Sequence, residues 1–272
     1  MQALFTAANI MLSLSFLLYA SWSDYKTREV SNRVWVIYAP LALSLSLADF
    51  LIYDPFSRLP SYGVSFGVTA VIAIVLFYSG AFGGADSKAL MCIALALPFS
   101  TETLFSPIVS GGVPPLSLNL FPLTVFSNGV LFAAATGLYM ILYNILWHRR
   151  TGKKTFEGTL AAESVGKKLV AMITGHKVSV IKLKEKWHIY PMEDVEDESG
   201  ANQPKRKLVV IPKDEGRDEI VARLSKAASS GRIDSYVWAT PGLPMLIFIT
   251  VGLVVALVFG DVVWLLVSFM LH

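Results

Sequence analysis

The stretch FYSGAFGGADSKALM, residues 77–91, joins two apolar runs through a cluster of glycines, an acid and a lysine. An acid at the edge of a membrane-like segment is costly, so Asp86 raises the question of what offsets that cost. Working outward, the apolar runs recur. A spanning helix needs roughly 20 mainly apolar residues, and six segments meet that: 3–22, 33–52, 62–82, 87–107, 122–147 and 243–270. The fourth contains Pro98, which predicts a short or broken helix. The fold class expected is a polytopic α-helical membrane protein with six transmembrane helices.

Composition agrees. Of 272 residues, 54% are hydrophobic, too many for a soluble protein of this size to cover. Charge is segregated: 18 of 23 Lys and Arg, and 13 of 20 Asp and Glu, fall between residues 148 and 240. The expected organisation is a membrane domain over 1–147, a cytoplasmic polar domain over 148–240 with net charge +5, and a sixth helix over 241–272. The N-terminus lacks the basic start of a secretory signal, which predicts a retained first helix. The single cysteine, Cys92, excludes an internal disulfide and a CxxC zinc site. Four histidines lack ligand spacing, so neither metal nor cofactor is expected. The KRK run at 205–207 reads as the start of a solvated strand, and nucleic acid is not expected as a partner.

The polar domain reads as small and α/β. GTLAAESVGKKLVAMITG predicts a helix closed by Gly175, KVSVIKLKEKWHIYP alternates and predicts strands, and PMEDVEDESGANQPKRK reads as a loop. KLVVIP predicts another strand. DEGRDEIVARLSKAASSG predicts an amphipathic helix with early acids and a glycine stop. Lys26, Arg28, Arg33, Lys88, Arg149 and Arg150 mark alternate loops as cytoplasmic, whereas Arg58 is the basic residue of the opposite loops. The N-terminus is therefore expected outside, Ser31 and Gly200 inside, and Asn119 and the C-terminus outside.

This topology sorts the acids. Asp24 and Asp86 sit at cytoplasmic helix ends. Asp49, Asp54, Glu102 and Asp261 lie outward. Two carboxyls crowded on one face share a proton, so one activates water while the other polarises a carbonyl. Asp24, Arg28 and Asn32 are spaced i, i+4, i+8 and would share a face on a continuing helix. Gly83 and Gly84 permit close backbone approach beside Asp86. Two other classes stay open on these residues: a proton- or cation-coupled transporter using Asp24 and Asp86 as a relay, and a scaffold whose polar domain binds partners.

Asp24-x3-Arg28-x3-Asn32 after the first helix, with Gly83-Gly84-Ala85-Asp86 before the fourth, resembles the type IV prepilin peptidase and archaeal preflagellin peptidase family, a GxGD-type of membrane aspartic protease. VWATPGLPMLIFITVG, residues 237–252, resembles the final helix of the archaeal members. The resemblance implies an aspartic endopeptidase that removes the short basic leader of preflagellin or type IV prepilin precursors at the cytoplasmic face. It implies Asp24 and Asp86 as the catalytic pair, with Gly83, Gly84, Ala85, Arg28, Asn32 and Lys88 supporting. Precursor peptides and membrane lipids are the partners it implies. Bacterial members often carry a four-cysteine zinc region and methylate the new N-terminus. One cysteine predicts neither here.

Overall fold

The computed structural model describes residues 2–53, 57–100, 119–152, 154–196, 205–209 and 216–271. Asp54, Glu102, Gly200 and most of the predicted 110–122 loop lie outside the described residues. So do the ends of the predicted fourth helix and of the KLVVIP strand. The chain forms two compact units, one of residues 1–133 and 244–272, the other of residues 134–243.

The first unit is helical: α1 (Gln2–Thr27), α2 (Asn32–Tyr53), α3 (Leu59–Tyr78), α4 (Gly84–Ala96), the start of α5 (Phe121–Thr151), α9 (Met245–Phe259) and α10 (Val262–Leu271). Among the described residues, four helices are long and apolar enough to cross a membrane: α1, α2, α3 and α5. The pair α9–α10 counts as a fifth span if taken together. The protein is therefore a helical membrane protein whose described residues hold four to five candidate spans, where six were expected. Two segments account for the difference. The fourth helix ends at Ala96, and its 13 residues cover only about 20 Å. The sixth breaks at Gly260 and Asp261 with a bend of 65°. Gly260 has φ 80° and ψ −145°, a conformation that suits glycine alone.

Short as it is, α4 packs against α1, α2, α3 and α9. Its small residues Ala89, Cys92 and Ala96 allow that, and Ile93 fills the centre. A helix ending inside an apolar bundle leaves carbonyls that must be satisfied. Hydroxyls do this: Ser46 and Tyr62 donate to the Leu95 carbonyl at 2.7 and 3.2 Å. Ser65 donates to the Pro98 carbonyl at 2.9 Å. At the crossing of α5 and α9, a Cβ on Gly252 would lie 2.3 Å from the Val125 carbonyl oxygen. Only glycine lets these two backbones meet.

The second unit is the small α/β region. After the end of α5 come a 3-10 turn (Gly158–Ala162), α6 (Val165–Thr174), β1 (His176–Ser179), α7 (Val180–Glu185), β2 (Ile189–Pro191), β3 (Glu193–Glu196), β4 (Lys205–Leu208), α8 (Arg217–Ser229) and β5 (Tyr236–Pro241). An antiparallel sheet runs β1-β5-β2, and β3 pairs with β4. Val237 and Ala239 of β5 face a cluster with Val178, Leu183 and Leu224. Trp238 between them faces Leu160, Ala171 and Met192.

Four expectations are corrected here. The predicted helix over 158–175 divides at Ser164, whose side chain caps α6 by accepting from Lys167 N–H at 3.4 Å. The alternating run after Gly175 is interrupted by α7, capped in the same way by Ser179. The acidic run read as a loop contains β3, because its Glu193 is fully buried between cations. Tyr236–Pro241 is the central strand rather than the start of the final helix, because both faces are covered and the apolar run does not alternate.

Candidate active site

Asp24 stands half-buried in the last turn of α1. The helix does not continue through Arg28 and Asn32 as the spacing suggested. Arg28 takes a left-handed backbone at φ 59° and its N–H closes on the Asp24 carbonyl at 2.9 Å. The hydroxyls of Ser23 and Thr27 both donate to the Glu29 carbonyl, at 2.8 and 3.0 Å, and pin the turn. Asn32 then opens α2. Arg28 nevertheless stays within electrostatic reach of Asp24, so the loss of the shared helical face does not separate them.

Asp86 is the third residue of α4. Gly83 caps that helix in an extended conformation and donates its N–H to Asp86 Oδ2 at 3.0 Å. An acid at this position also faces the positive end of the helix dipole. A Cβ at Gly83 would lie 3.1 Å from the same carboxylate oxygen, tighter than ordinary packing. Gly84 is less constrained, since a Cβ there would meet Phe77 at 3.6 Å. Ala85 packs partly buried against the bundle core.

The fold brings the two motifs together although 62 positions separate Asp24 from Asp86. The helices that carry them, α1 and α4, pack against each other. A second link joins the motifs at the surface: Lys88 Nζ donates to Asn32 Oδ1 at 2.7 Å. Sequence reading placed Asn32 and Lys88 as supporting residues but did not pair them, because nothing in either stretch encodes a contact across 56 positions. It also missed Ser23 and Thr27, whose hydroxyls hold the turn. Asp261, read as outward, has a structural task. Its Oδ1 accepts from Trp264 N–H at 2.9 Å and caps α10.

Two carboxyls held by separate helices, one anchored by a backbone N–H and the other near a guanidinium, are equipped for acid–base work on one substrate group. Comparison with known proteins bears on that chemistry. Residues 11–138 match the model of the type IV leader peptidase family. Residues 167–262 match the model of the archaeal peptidase A24 C-terminus, type II. The chain belongs to the type IV leader peptidase family. The first match takes in both acid-bearing turns, and the second takes in most of the α/β region. Preflagellin peptidase of Methanococcus voltae is 26% identical over 253 residues, covering 92% of this chain and 94% of that one. Preflagellin peptidase of Methanococcus maripaludis strain C6 is 25% identical over 248 residues, 90% and 92% of the two chains. That of Methanocaldococcus jannaschii is 23% identical over 261 residues, 93% and 94%. This leader peptidase thus resembles its relatives along nearly its whole length.

Proposed function

We propose that this leader peptidase is an aspartic endopeptidase that removes the short basic leader from preflagellin or prepilin-like precursors, with Asp24 and Asp86 as its catalytic pair. The observation that carries the assignment is that the two acid-bearing turns stand at one end of one bundle, with α1 packed on α4 and Lys88 after Asp86 bonded to Asn32 after Asp24 at 2.7 Å. The relatives named above are preflagellin peptidases, which supports the substrate class.

The chemistry follows from the pair. One carboxylate takes a proton from water as the oxygen attacks the scissile carbonyl. The other, protonated, donates to the carbonyl oxygen. The tetrahedral adduct collapses and the C–N bond breaks: the carboxyl that gained the water proton passes it to the leaving amine, and the other carboxylate takes its proton back from an adduct hydroxyl as the new carboxyl forms. Gly83 N–H holds one oxygen of Asp86 and leaves the other for this exchange. Asn32 and Lys88 tie the two acid-bearing turns together, and Arg28 stabilises charge on Asp24.

In this reading α4 is a short fourth span and α9–α10 a bent sixth. The membrane part is then 1–147 with 241–272, and the domain over 148–240 is cytoplasmic. The basic loops put both acids at the cytoplasmic face, where a precursor still carrying its leader presents itself. A transporter relay is less well supported, because both acids sit in terminal turns rather than mid-helix. Incubating the purified protein in vesicles with a leader-bearing preflagellin tests the proposal. A smaller product with a single new N-terminus is expected. An intact precursor alongside catalysed ion or proton flux would favour the relay.

A further inference from the structure

Val165, Leu169 and Ile173 recur every four residues along α6 and so share one face. The helix's opposite side packs into the unit's core through Ala171, with Val170 and Met172 against it. Along the shared face, coverage is uneven. Ile173 rests on α5, where a Cβ on Gly137 would lie 2.9 Å from Ile173 Cγ2. Asn144 of α5, itself 4% exposed, donates to the Met172 and Gly175 carbonyls at 3.0 and 2.8 Å and closes the end of α6. Leu169 and Val165 continue the stripe but are 56% and 81% exposed.

The helix that α6 leans on is a candidate membrane span. About 20 residues cross ~30 Å of hydrocarbon, which carries α5 from Phe121 to a level between Gly137 and Asn144. Tyr139 and Tyr143, whose rings lie 6.3 Å apart, stand at that level as an aromatic belt would. The last turn of α6 packs on α5 at this level, and Leu169 and Val165 carry the uncovered stripe on from that contact. Basic residues lie close by: Arg149 and Arg150 in the last turn of α5, and Lys168 flanking the stripe on α6, its Nζ donating to the Ala161 carbonyl at 2.5 Å. Lys167 stands on the Ala171 side of the helix and pairs with Glu163 at 2.9 Å.

We infer that α6 is an interfacial helix whose Val165–Leu169 face rests on the lipid surface beside α5, with anionic headgroups meeting Arg149, Arg150 and Lys168. Its occupant is the bilayer itself, not a protein partner. The inference needs only that the chain spans a membrane and does not depend on the peptidase assignment.

Bimane attached at Val165→Cys and at Leu169→Cys, in a Cys92→Ala background, tests this in vesicles of phosphatidylcholine and phosphatidylglycerol carrying nitroxide lipid. The same label at Ala222→Cys, exposed on α8, is the control. Quenching by nitroxide at both stripe positions at least threefold above the control is expected. Adding Leu169→Asp should lower quenching at position 165 towards the control, with the circular dichroism of the folded protein unchanged. Quenching at 165 and 169 no greater than at 222 would overturn the inference. So would shielding of both labels from nitroxide lipid and from aqueous iodide alike, which would mean that another protein surface covers the face.

Discussion

At the scale of single residues, the account turns on how tightly Asp86 is held. Gly83 is a position beside it where any side chain intrudes, since a Cβ would sit 3.1 Å from Asp86 Oδ2. Gly83→Val should therefore lower kcat by about tenfold or more, of the order of a lost positioning contact, with KM for precursor little changed. Steady-state cleavage kinetics read this directly, and a rise in KM at constant kcat would count against a positioning role. The Lys88–Asn32 hydrogen bond makes a different prediction. Lys88→Ala and Asn32→Ala should each slow cleavage by a similar few-fold factor, and the double variant should be no slower than either, because both remove one interaction. Multiplying effects would mean that the two residues act separately. The two acids were legible in the sequence as candidates, because each stands at the edge of an apolar run, Asp86 among glycines. The Lys88–Asn32 contact was not, because each residue alone reads as one more polar group in a cytoplasmic loop.

At the scale of elements, the end of the chain is the informative case. The run from residue 243 to 270 is apolar enough to be read as one helix, and averaging over it hides Gly260 and Asp261. In the structure the Asn128 side chain donates to the Gly260 carbonyl at 2.9 Å and accepts from Val262 N–H at 3.1 Å, so the bend is built rather than accidental. Asp261→Asn keeps a good helix cap and should leave thermal stability in detergent within experimental error. Asp261→Ala loses the cap and should cost about 1 kcal/mol. Equal melting of both variants and the parent would show that the cap contributes nothing. In the α/β region, β5 escaped sequence reading because Val237 and Trp238 are buried on opposite faces and no alternation survives. Interruption of the strand pattern by α7 escaped because Ile181 and Leu183 alternate with Lys182 and Lys184 as in a strand, while Val180 and Leu183, three apart, share the buried face of a helix. His176 of β1 offers a check by pH. Burial and the nearby Lys182 charge push its pKa below the ordinary histidine value. The folded state then favours the neutral ring, so its contribution to stability is full above about pH 6.5. That contribution is lost as pH falls from there towards the folded pKa. Melting of the parent should drop between pH 7.5 and pH 5.5 by more than that of His176→Phe, which keeps the edge contact with Tyr143. An equal drop in both would assign the pH sensitivity elsewhere.

At the scale of the whole molecule, apolar content and segregated charge made the membrane class and the separate α/β region legible. The number of spans was less so, because α4 is stabilised by hydroxyl caps from its neighbours and not by its own length. Orientation rests on the loop charges. Cysteine at Ser31 should resist a membrane-impermeant reagent in intact cells, and cysteine at Asn119 should react, both in a Cys92→Ala background. The reverse pattern would invert the topology and put the acids on the wrong side for a precursor that has not been exported. The central claim is that two acids at one end of the bundle perform the cleavage, and cleavage rate in four acid-to-amide variants tests it most directly. Asp24→Asn and Asp86→Asn should each lower the rate at least a hundredfold, the scale of a lost general acid or base, while the protein still melts as the parent does. Asp49→Asn and Asp261→Asn, away from that end, should cleave within a few-fold of the parent. A fully active Asp24→Asn or Asp86→Asn, or an inactive but folded Asp261→Asn, would contradict the account.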